Sequence, residues 1–311
     1  MSLPDALSRR VALQRLVALA AAVGPLAACG GGGSGSSSPA PPPTSGPAPA
    51  PMPGAGFTKS AKRGIAYDLA DERDFAALAP GVSWWYNWSP RPHANAPVDA
   101  RSHLGMDFVP MLWNGSFNAT AVQQWLAANP HVEYLLVLNE PNLTDQANLT
   151  PAQAAALWPQ YEAVARQTGV KIVGPAMTWG TMPGYADPVV WLDAFYTAYR
   201  NANGGRDPQI DHLAFHWYGL AGQLDRLTKY GKPFWVTEFA NWHTGDGPHI
   251  DTPEKQMAQM TEMVRVCEER DDVVRYAWFI GRWNPDPHYT SLLGAAGELT
   301  ALGEHYLTLP D

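Results

Sequence analysis

Two glutamates follow short apolar runs in the same way, and their side chains are the first candidates for chemistry. Glu140 comes after residues 135–138 and Asn139, and Glu238 comes after residues 234–237. Cleavage of a glycosidic bond without a metal needs one carboxylic acid to protonate the leaving oxygen and one carboxylate to attack the anomeric carbon. A single glutamate after a strand can merely mark the boundary with water. Two of them, one preceded by Asn139 and the other flanked by aromatic residues, favour a catalytic pair.

The runs before these acids belong to a longer alternation of apolar segments and helical patterns. Helices capped by Asn118, Thr150 and Thr252 fit between the apolar segments. Several segments are continuously apolar, as is expected of strands that are covered on both faces. The candidate strands are residues 63–67, 83–86, 108–112, 134–138, 171–175, 212–216, 234–237 and 276–280.

Eight strands that alternate with helices in about 250 residues predict an α/β protein, a single (β/α)8 TIM barrel preceded by a disordered tether. In such a barrel the groups that follow the strands meet at one mouth, where Glu140 and Glu238 would face each other. An open doubly wound sheet is the alternative. The turn after its first strand would carry a G-x-G-x-x-G phosphate loop, and residues 63–68 contain none.

The composition changes at about residue 57. All 13 Trp, 12 Tyr and 9 Phe residues lie in residues 57–311, which we interpret as the catalytic domain. The formal net charge is −8, and no run of Lys or Arg occurs after residue 15. Because phosphate binding needs a cationic footprint, nucleic acid is not expected as a partner. A neutral glycan is compatible with this charge.

Residues 1–28 have the layout of a bacterial lipoprotein signal peptide. Arg9, Arg10 and Arg15 precede or open an apolar stretch that ends in Leu-Ala-Ala-Cys at Cys29. This ending resembles a lipobox, which implies cleavage before Cys29 and lipidation of its thiol. The expected location is the cell envelope, with contact to a membrane only through the anchor. A signal peptide with an incidental cysteine is the alternative, and the route, Sec or twin-arginine, stays open.

Residues 29–56 contain the cysteine and a tract that is rich in Gly, Pro, Ser and Ala. A tract of this composition cannot offset its ordering entropy, and we predict a disordered linker. The second cysteine, Cys267, shares a helical stripe with Met260 and Val264 and is predicted to be buried in the core. A monomer is the default expectation.

No cofactor or metal is predicted. His212 and His216 are four residues apart, which is a ligand spacing for a helix, whereas this segment has the pattern of a strand. Tryptophans that follow the predicted strands are candidates for stacking on sugar rings, together with one neighbouring amide. These substrate-binding candidates are Trp88, Trp113, Asn114, Trp179, Trp242 and Trp283. Trp125, Trp158, Trp191 and Trp235 fall within helices or a strand and are predicted to be core.

The strings around the two acids resemble the signatures of clan A retaining glycoside hydrolases, and nearly all of residues 62–308 is similar to glycoside hydrolase family 128. The strings that carry this resemblance are Asn139-Glu140-Pro141, Thr237-Glu238-Phe239, Arg63-Gly64-Ile65-Ala66, Trp84-Trp85-Tyr86-Asn87-Trp88, His216-Trp217-Tyr218 and Leu292-Leu293. Characterised members of this family are mostly endo-β-1,3-glucanases, so the resemblance implies a β-glucan substrate and endo action.

The resemblance also implies roles for individual residues. Glu140 would be the general acid/base and Glu238 the nucleophile, and Asn139 would bind the sugar 2-hydroxyl. Tyr218 or His216 would hydrogen-bond the nucleophile and keep it ionised. Two other functions stay open at this point: a glycan-binding surface lipoprotein without activity, and a transglycosylase on the same glycan.

Overall fold

The described part of the chain is a parallel α/β sheet with helices between its strands. We analysed a computed structural model, in which residues 56–218, 223–241 and 250–310 are described. Their strands are β1 (Arg63–Ala66), β2 (Trp84–Tyr86), β3 (Asp107–Phe108), β4 (Met111–Leu112), β5 (Tyr134–Val137), β6 (Lys171–Met177), β7 (His212–Trp217), β8 (Phe234–Phe239) and β9 (Val273–Trp278). Each of the eight predicted strands overlaps at least one of these.

The strand order is β3-β2-β1-β9-β8-β7-β6-β5-β4, and every pairing is parallel. The two outermost strands are neighbours in the chain, separated only by Val109 and Pro110. The Val109 N–H donates to the carbonyl of Trp85 on one side at 3.0 Å, and the Pro110 carbonyl accepts from the Leu136 N–H on the other at 2.9 Å. One short segment therefore contacts both ends of a curled sheet. The prediction of a continuous third strand was wrong at Pro110, which has no N–H to donate.

Helices follow most strands, and three of them have the caps that the sequence predicts. Asn118 accepts from the Ala121 N–H, Thr150 forms a capping box with Gln153, and Thr252 caps the helix that begins at Pro253. The α-helices are α1 (Glu72–Leu78), α2 (Ala100–Leu104), α3 (Ala119–Ala128), α4 (Pro151–Thr168), α5 (Pro188–Ala202), α6 (Pro253–Glu269) and α7 (Ala301–Thr308), with a 3₁₀ helix at Gln223–Tyr230 between β7 and β8.

The core lies inside the curled sheet and between the sheet and the helices. Trp158, Trp191 and Trp235 are fully buried, as predicted, and Trp125 is half-buried. Cys267 is also buried, and burial raises the pKa of its thiol, which disfavours the reactive thiolate. In the described ranges we find no helix with the length and apolarity that a bilayer crossing requires.

Residues near the C-terminal end of the chain bind β1 and the segment before it. Strand β1 lies between β2 and β9 and pairs with both. The Tyr306 hydroxyl in α7 donates to the Gly64 carbonyl at 2.8 Å, and the Thr58 N–H donates to the Leu307 carbonyl at 2.8 Å. Distant chain segments therefore meet at one side of the sheet.

Candidate active site

The structure brings the two predicted acids together. Glu140 follows β5, and Glu238 lies in β8 opposite His216 of β7. One carboxylate oxygen of each glutamate and one ring nitrogen of His216 lie within 4.8 Å of one another. This separation is close to the roughly 5 to 5.5 Å between the carboxyl groups of retaining glycoside hydrolases. At this separation one carboxyl group can reach the anomeric carbon while the other reaches the oxygen of the glycosidic bond.

A bulge in β8 aims Glu238. Val236 pairs with Phe215 of β7, but the next pair joins Glu238 to His216, so β8 carries one extra residue, Thr237, at this point. The pairing of β8 with β9 shows the same extra residue between Val236 and Phe239. A bulge interrupts the alternation of side chains and re-aims those that follow it. The predicted strand ends at residue 237, whereas β8 continues through Glu238 to Phe239.

The turn after β5 positions Glu140 with a strained backbone. Leu138 and Glu140 adopt positive φ angles of 54° and 45°, which non-glycine residues rarely occupy. The Asn139 N–H donates to the Trp113 carbonyl at 2.9 Å, and the Glu140 N–H donates to the Ala176 carbonyl at 2.8 Å. These bonds to the two neighbouring strands hold the turn, so the Glu140 carboxyl keeps its place opposite Glu238.

Hydrogen-bond donors surround the Glu238 carboxylate. The Tyr86 hydroxyl and the Trp88 indole N–H donate to Oε1 at 2.9 and 2.7 Å, and the Tyr218 hydroxyl donates to Oε2. Burial raises the pKa of Glu238, and the charge of Glu140 adds to this, whereas His216, Tyr218 and Trp88 lower it. The donors therefore favour the ionised form that a nucleophile needs, against the cost of burial.

His216 bridges the two acids. Its Nδ1 lies 2.9 Å from Glu140 Oε1 and 3.5 Å from Glu238 Oε2. Burial alone lowers the pKa of His216, but the charge of Glu238 and the hydrogen bond to Glu140 outweigh it and raise this pKa above the ordinary value. In its doubly protonated form, the imidazole carries a positive charge that reduces the repulsion between the two carboxylates.

This trio is also the single group, among the described residues, with three metal-ligating side chains within reach of one another. Both oxygens of Glu238 already accept hydrogen bonds from neutral donors. A cation on this carboxylate would have to compete with those donors.

His212 lies four residues from His216 along β7, or about 13 Å at strand spacing, beside Tyr134 and Trp235. His212 is buried, but its Nδ1 has no hydrogen-bond partner. It therefore differs from a core histidine whose two ring nitrogens both form hydrogen bonds.

Asn139 directly precedes Glu140, and the two ends of its side-chain amide have different surroundings. Its side chain is buried, and Nδ2 donates to Gln146 Oε1 at 3.1 Å. Its Oδ1 is enclosed and has no hydrogen-bond partner. Sequence reasoning missed Gln146, because no motif marks a glutamine seven residues after Asn139 in a loop.

The sequence reasoning also gave Tyr86 no role, although its alternation with Trp84 and Trp88 was a usable signal. These side chains lie on one face of β2 and of the segment that follows it. The centres of the Trp84 and Tyr86 rings are 6.1 Å apart, and those of the Tyr86 and Trp88 rings are 5.4 Å apart. Trp88 has a positive φ of 58° and is only 7% exposed. Its placement as a donor to Glu238 leaves little ring surface for the sugar stacking that the sequence predicts.

The other predicted sugar contacts differ in their exposure. Trp179 is 43% exposed, and the Arg226 guanidinium covers one face of its ring at 5.2 Å. Trp283 is half-buried against Phe279, with ring centres 5.8 Å apart. Trp113 and Asn114 are half-buried, and Asn114 Oδ1 accepts from the Ser116 N–H at 2.8 Å within its own loop. Trp242 and Cys29 lie outside the described residues.

Comparisons with known proteins identify the family of this fold. Residues 64–306 match the family model described as glycosyl hydrolase catalytic core. The fold is similar to the crystal structure of a family 128 subgroup II endo-β-1,3-glucanase from Pseudomonas viridiflava, with a TM-score of 0.80 and 61% identity over 81% of this chain and 99% of that chain. This protein belongs to glycoside hydrolase family 128.

Other members of family 128 show the same fold at lower identity. A subgroup II endo-β-1,3-glucanase from Sorangium cellulosum is 34% identical over 80% of this chain and 98% of that chain, with a TM-score of 0.66. A subgroup I enzyme from Amycolatopsis mediterranei, solved with laminaritriose, is 26% identical over 79% and 98%, with a TM-score of 0.60.

One curated relative is a longer protein. The alkali-sensitive linkage protein 1 of Schizosaccharomyces pombe is 27% identical over 271 residues, which are 80% of this chain and 45% of that protein. This chain therefore spans less than half the length of that relative.

Proposed function

We propose that this protein is a retaining endo-β-1,3-glucanase in which Glu238 is the nucleophile and Glu140 the acid/base. The observation that carries the proposal is the approach of the two carboxylates to within 4.8 Å beside His216. The two subgroup II relatives are both described as endo-β-1,3-glucanases, and the subgroup I relative binds laminaritriose. These relatives support a β-1,3-glucan substrate for this chain.

The first step forms a glycosyl-enzyme. Glu238 attacks the anomeric carbon while Glu140 gives its proton to the leaving glycosidic oxygen, so one C–O bond forms as another breaks. Tyr86, Trp88 and Tyr218 hold the attacking carboxylate in place. The ester removes the charge of Glu238 while the loss of its proton makes Glu140 negative, so the negative charge beside His216 moves from one acid to the other.

The second step reverses these roles. With Glu238 neutral, Glu140 remains ionised and accepts a proton from the attacking water, whose oxygen bonds to the anomeric carbon as the ester C–O bond breaks. His216 hydrogen-bonds to Glu140 and stabilises its negative charge during this step. Two inversions at the same carbon give net retention of configuration.

The scaffold that we propose is a closed (β/α)8 barrel in residues 57–311. The proposal counts β3 and β4 as one strand, because residues 107–112 contact β2 and β5 at once. In this barrel the loops after the strands carry the candidate sugar contacts beside Asn139. These contacts are Trp113, Asn114, Trp179, Trp242 and Trp283.

A panel of glucans tests the activity. We expect the purified protein to release reducing ends from laminarin and curdlan, to act weakly on lichenan and not at all on cellulose. Oligosaccharides of intermediate length in the earliest products would establish endo action, and proton NMR should show the β-anomer of the new end first. Binding without release would instead favour a glycan-capture protein, and products longer than the substrate a transglycosylase.

The location of the protein is a separate proposal. We infer that residues 1–28 are a lipoprotein signal peptide, that Cys29 carries the lipid, and that the linker to residue 56 holds a monomeric enzyme on a bacterial envelope. The Leu-Ala-Ala-Cys ending supports this. In a bacterial host the wild type should take up labelled palmitate and fractionate with membranes, whereas Cys29→Ser should do neither. Equal labelling of both proteins would rule out this anchor.

A further inference from the structure

We propose that Gln146 is a positioning residue that sets the orientation of the Asn139 amide for the sugar 2-hydroxyl. This inference rests on the proposed function, because it deepens the same site. It begins from the contact between Asn139 Nδ2 and Gln146 Oε1, which are 3.1 Å apart.

The two ends of the Asn139 amide are held unequally. Oδ1 is enclosed without a partner, so no described contact inside the protein distinguishes oxygen from nitrogen at that end. At the other end Gln146 presents a carbonyl oxygen, which accepts from Nδ2. A flipped Asn139 amide would place its oxygen against the oxygen of Gln146, and two acceptors in contact repel each other. As long as Gln146 keeps Oε1 toward Nδ2, it favours one of the two similar orientations of the Asn139 amide.

The loop after β5 brings Gln146 back to Asn139. The Ala147 N–H donates to the Asn139 carbonyl at 3.2 Å, and the Leu149 N–H donates to the Pro141 carbonyl at 2.9 Å. These backbone bonds close the loop across its base. The side chain of Gln146 therefore has a defined place one hydrogen bond away from Asn139.

This orientation matters for catalysis, because an amide nitrogen has two hydrogens. Gln146 accepts one of them, and in this proposal the second donates to the 2-hydroxyl of the sugar whose bond is cleaved. Hydrogen bonds to this hydroxyl strengthen as the transition state forms. Loss of the orientation should lower kcat more than it raises KM.

The test compares two substrates in each variant: 4-nitrophenyl β-laminaribioside, and its analogue without the 2-hydroxyl on the ring at the cleaved bond. We expect Gln146→Leu to lower kcat about tenfold on the first substrate, roughly the worth of one hydrogen bond, and less than about twofold on the second. The ratio of the two rates cancels any loss of folded protein. Gln146→Glu keeps an acceptor toward Nδ2 and should restore the wild-type ratio at its own pH optimum.

Two further variants complete the design. Asn139→Ala should abolish the advantage of the 2-hydroxyl, and Gln146→Leu should change nothing more in that background. Gln124→Leu, the same substitution on the exposed side of α3, should leave both rates unchanged. Equal losses on both substrates in Gln146→Leu would overturn the positioning role and leave the glucanase intact. A wild type inactive on both substrates and on the glucan panel would overturn the proposed function, and this inference with it.

Discussion

Glu238→Ala is expected to lower kcat/KM on laminarin by at least about 10⁴-fold, as the removal of a nucleophile does in other covalent enzymes. Without this carboxylate the glycosyl-enzyme cannot form, and Glu140 alone can only assist a poor leaving group. Added azide should not restore formation of the β-product. Reducing-end release under initial-rate conditions measures the loss, and a variant with more than a tenth of wild-type activity would contradict the assignment.

Glu238→Gln shows whether the loss comes from chemistry and not from unfolding. Because burial raises the pKa of Glu238, the folded protein holds this proton more tightly than the unfolded chain. The free energy of unfolding of the wild type should therefore fall as pH rises from the ordinary glutamate pKa through the raised one. Glutamine does not ionise, so the variant avoids the cost of holding a negative charge at this buried position. We expect Glu238→Gln to gain thermal stability relative to the wild type at neutral pH, and the gain to shrink at pH 4.

Glu140→Ala should lower kcat/KM on laminarin by about 10²–10⁴-fold, the usual contribution of a general acid/base. The loss of activity in Glu140→Ala should depend on the leaving group of the substrate. A 2,4-dinitrophenyl β-laminarioside needs no proton to depart, so Glu238 can still form the ester and hydrolysis stalls at the second step. Azide attacks without a base and should restore turnover, with the β-glycosyl azide as product.

The control for this experiment is a glutamate at the other end of β5. Glu133 precedes β5 at the end opposite Glu140 and is exposed, so Glu133→Ala should keep wild-type rates with and without azide. Formation of the β-glycosyl azide by Glu238→Ala instead of by Glu140→Ala would exchange the two roles. Failure of azide to accelerate either variant would remove the support for a covalent mechanism.

The strand pattern and the pairing of the acids were predictable, because both follow from local sequence. Continuous apolar runs such as residues 134–138 identify strands that are covered on both faces. The carboxyl ends of parallel strands meet at one edge, so Glu140 and Glu238 could be placed together from their positions alone. The caps at Asn118, Thr150 and Thr252 are local for the same reason.

The features that aim the site were not predictable, because they depend on neighbouring strands. The bulge at Thr237 exists only relative to the register of β7 and β9. Trp88 has a positive φ, and its indole N–H donates to Glu238 in a distant part of the chain, so a residue expected to stack on sugar is a hydrogen-bond donor. Gln146 becomes visible only when its loop is seen to fold back onto Asn139.

The position of β1 between β2 and β9 has a consequence for biosynthesis. Its two neighbours are separated by more than half of the domain, and Tyr306 and Leu307 bind Gly64 of β1 and Thr58 just before it. During translation the N-terminal half leaves the ribosome long before these partners exist. Such long-range pairing slows folding and leaves strand edges exposed meanwhile. The nascent polypeptide should therefore stay open to chaperones and proteases until its final forty or so residues emerge, after which the structure can close.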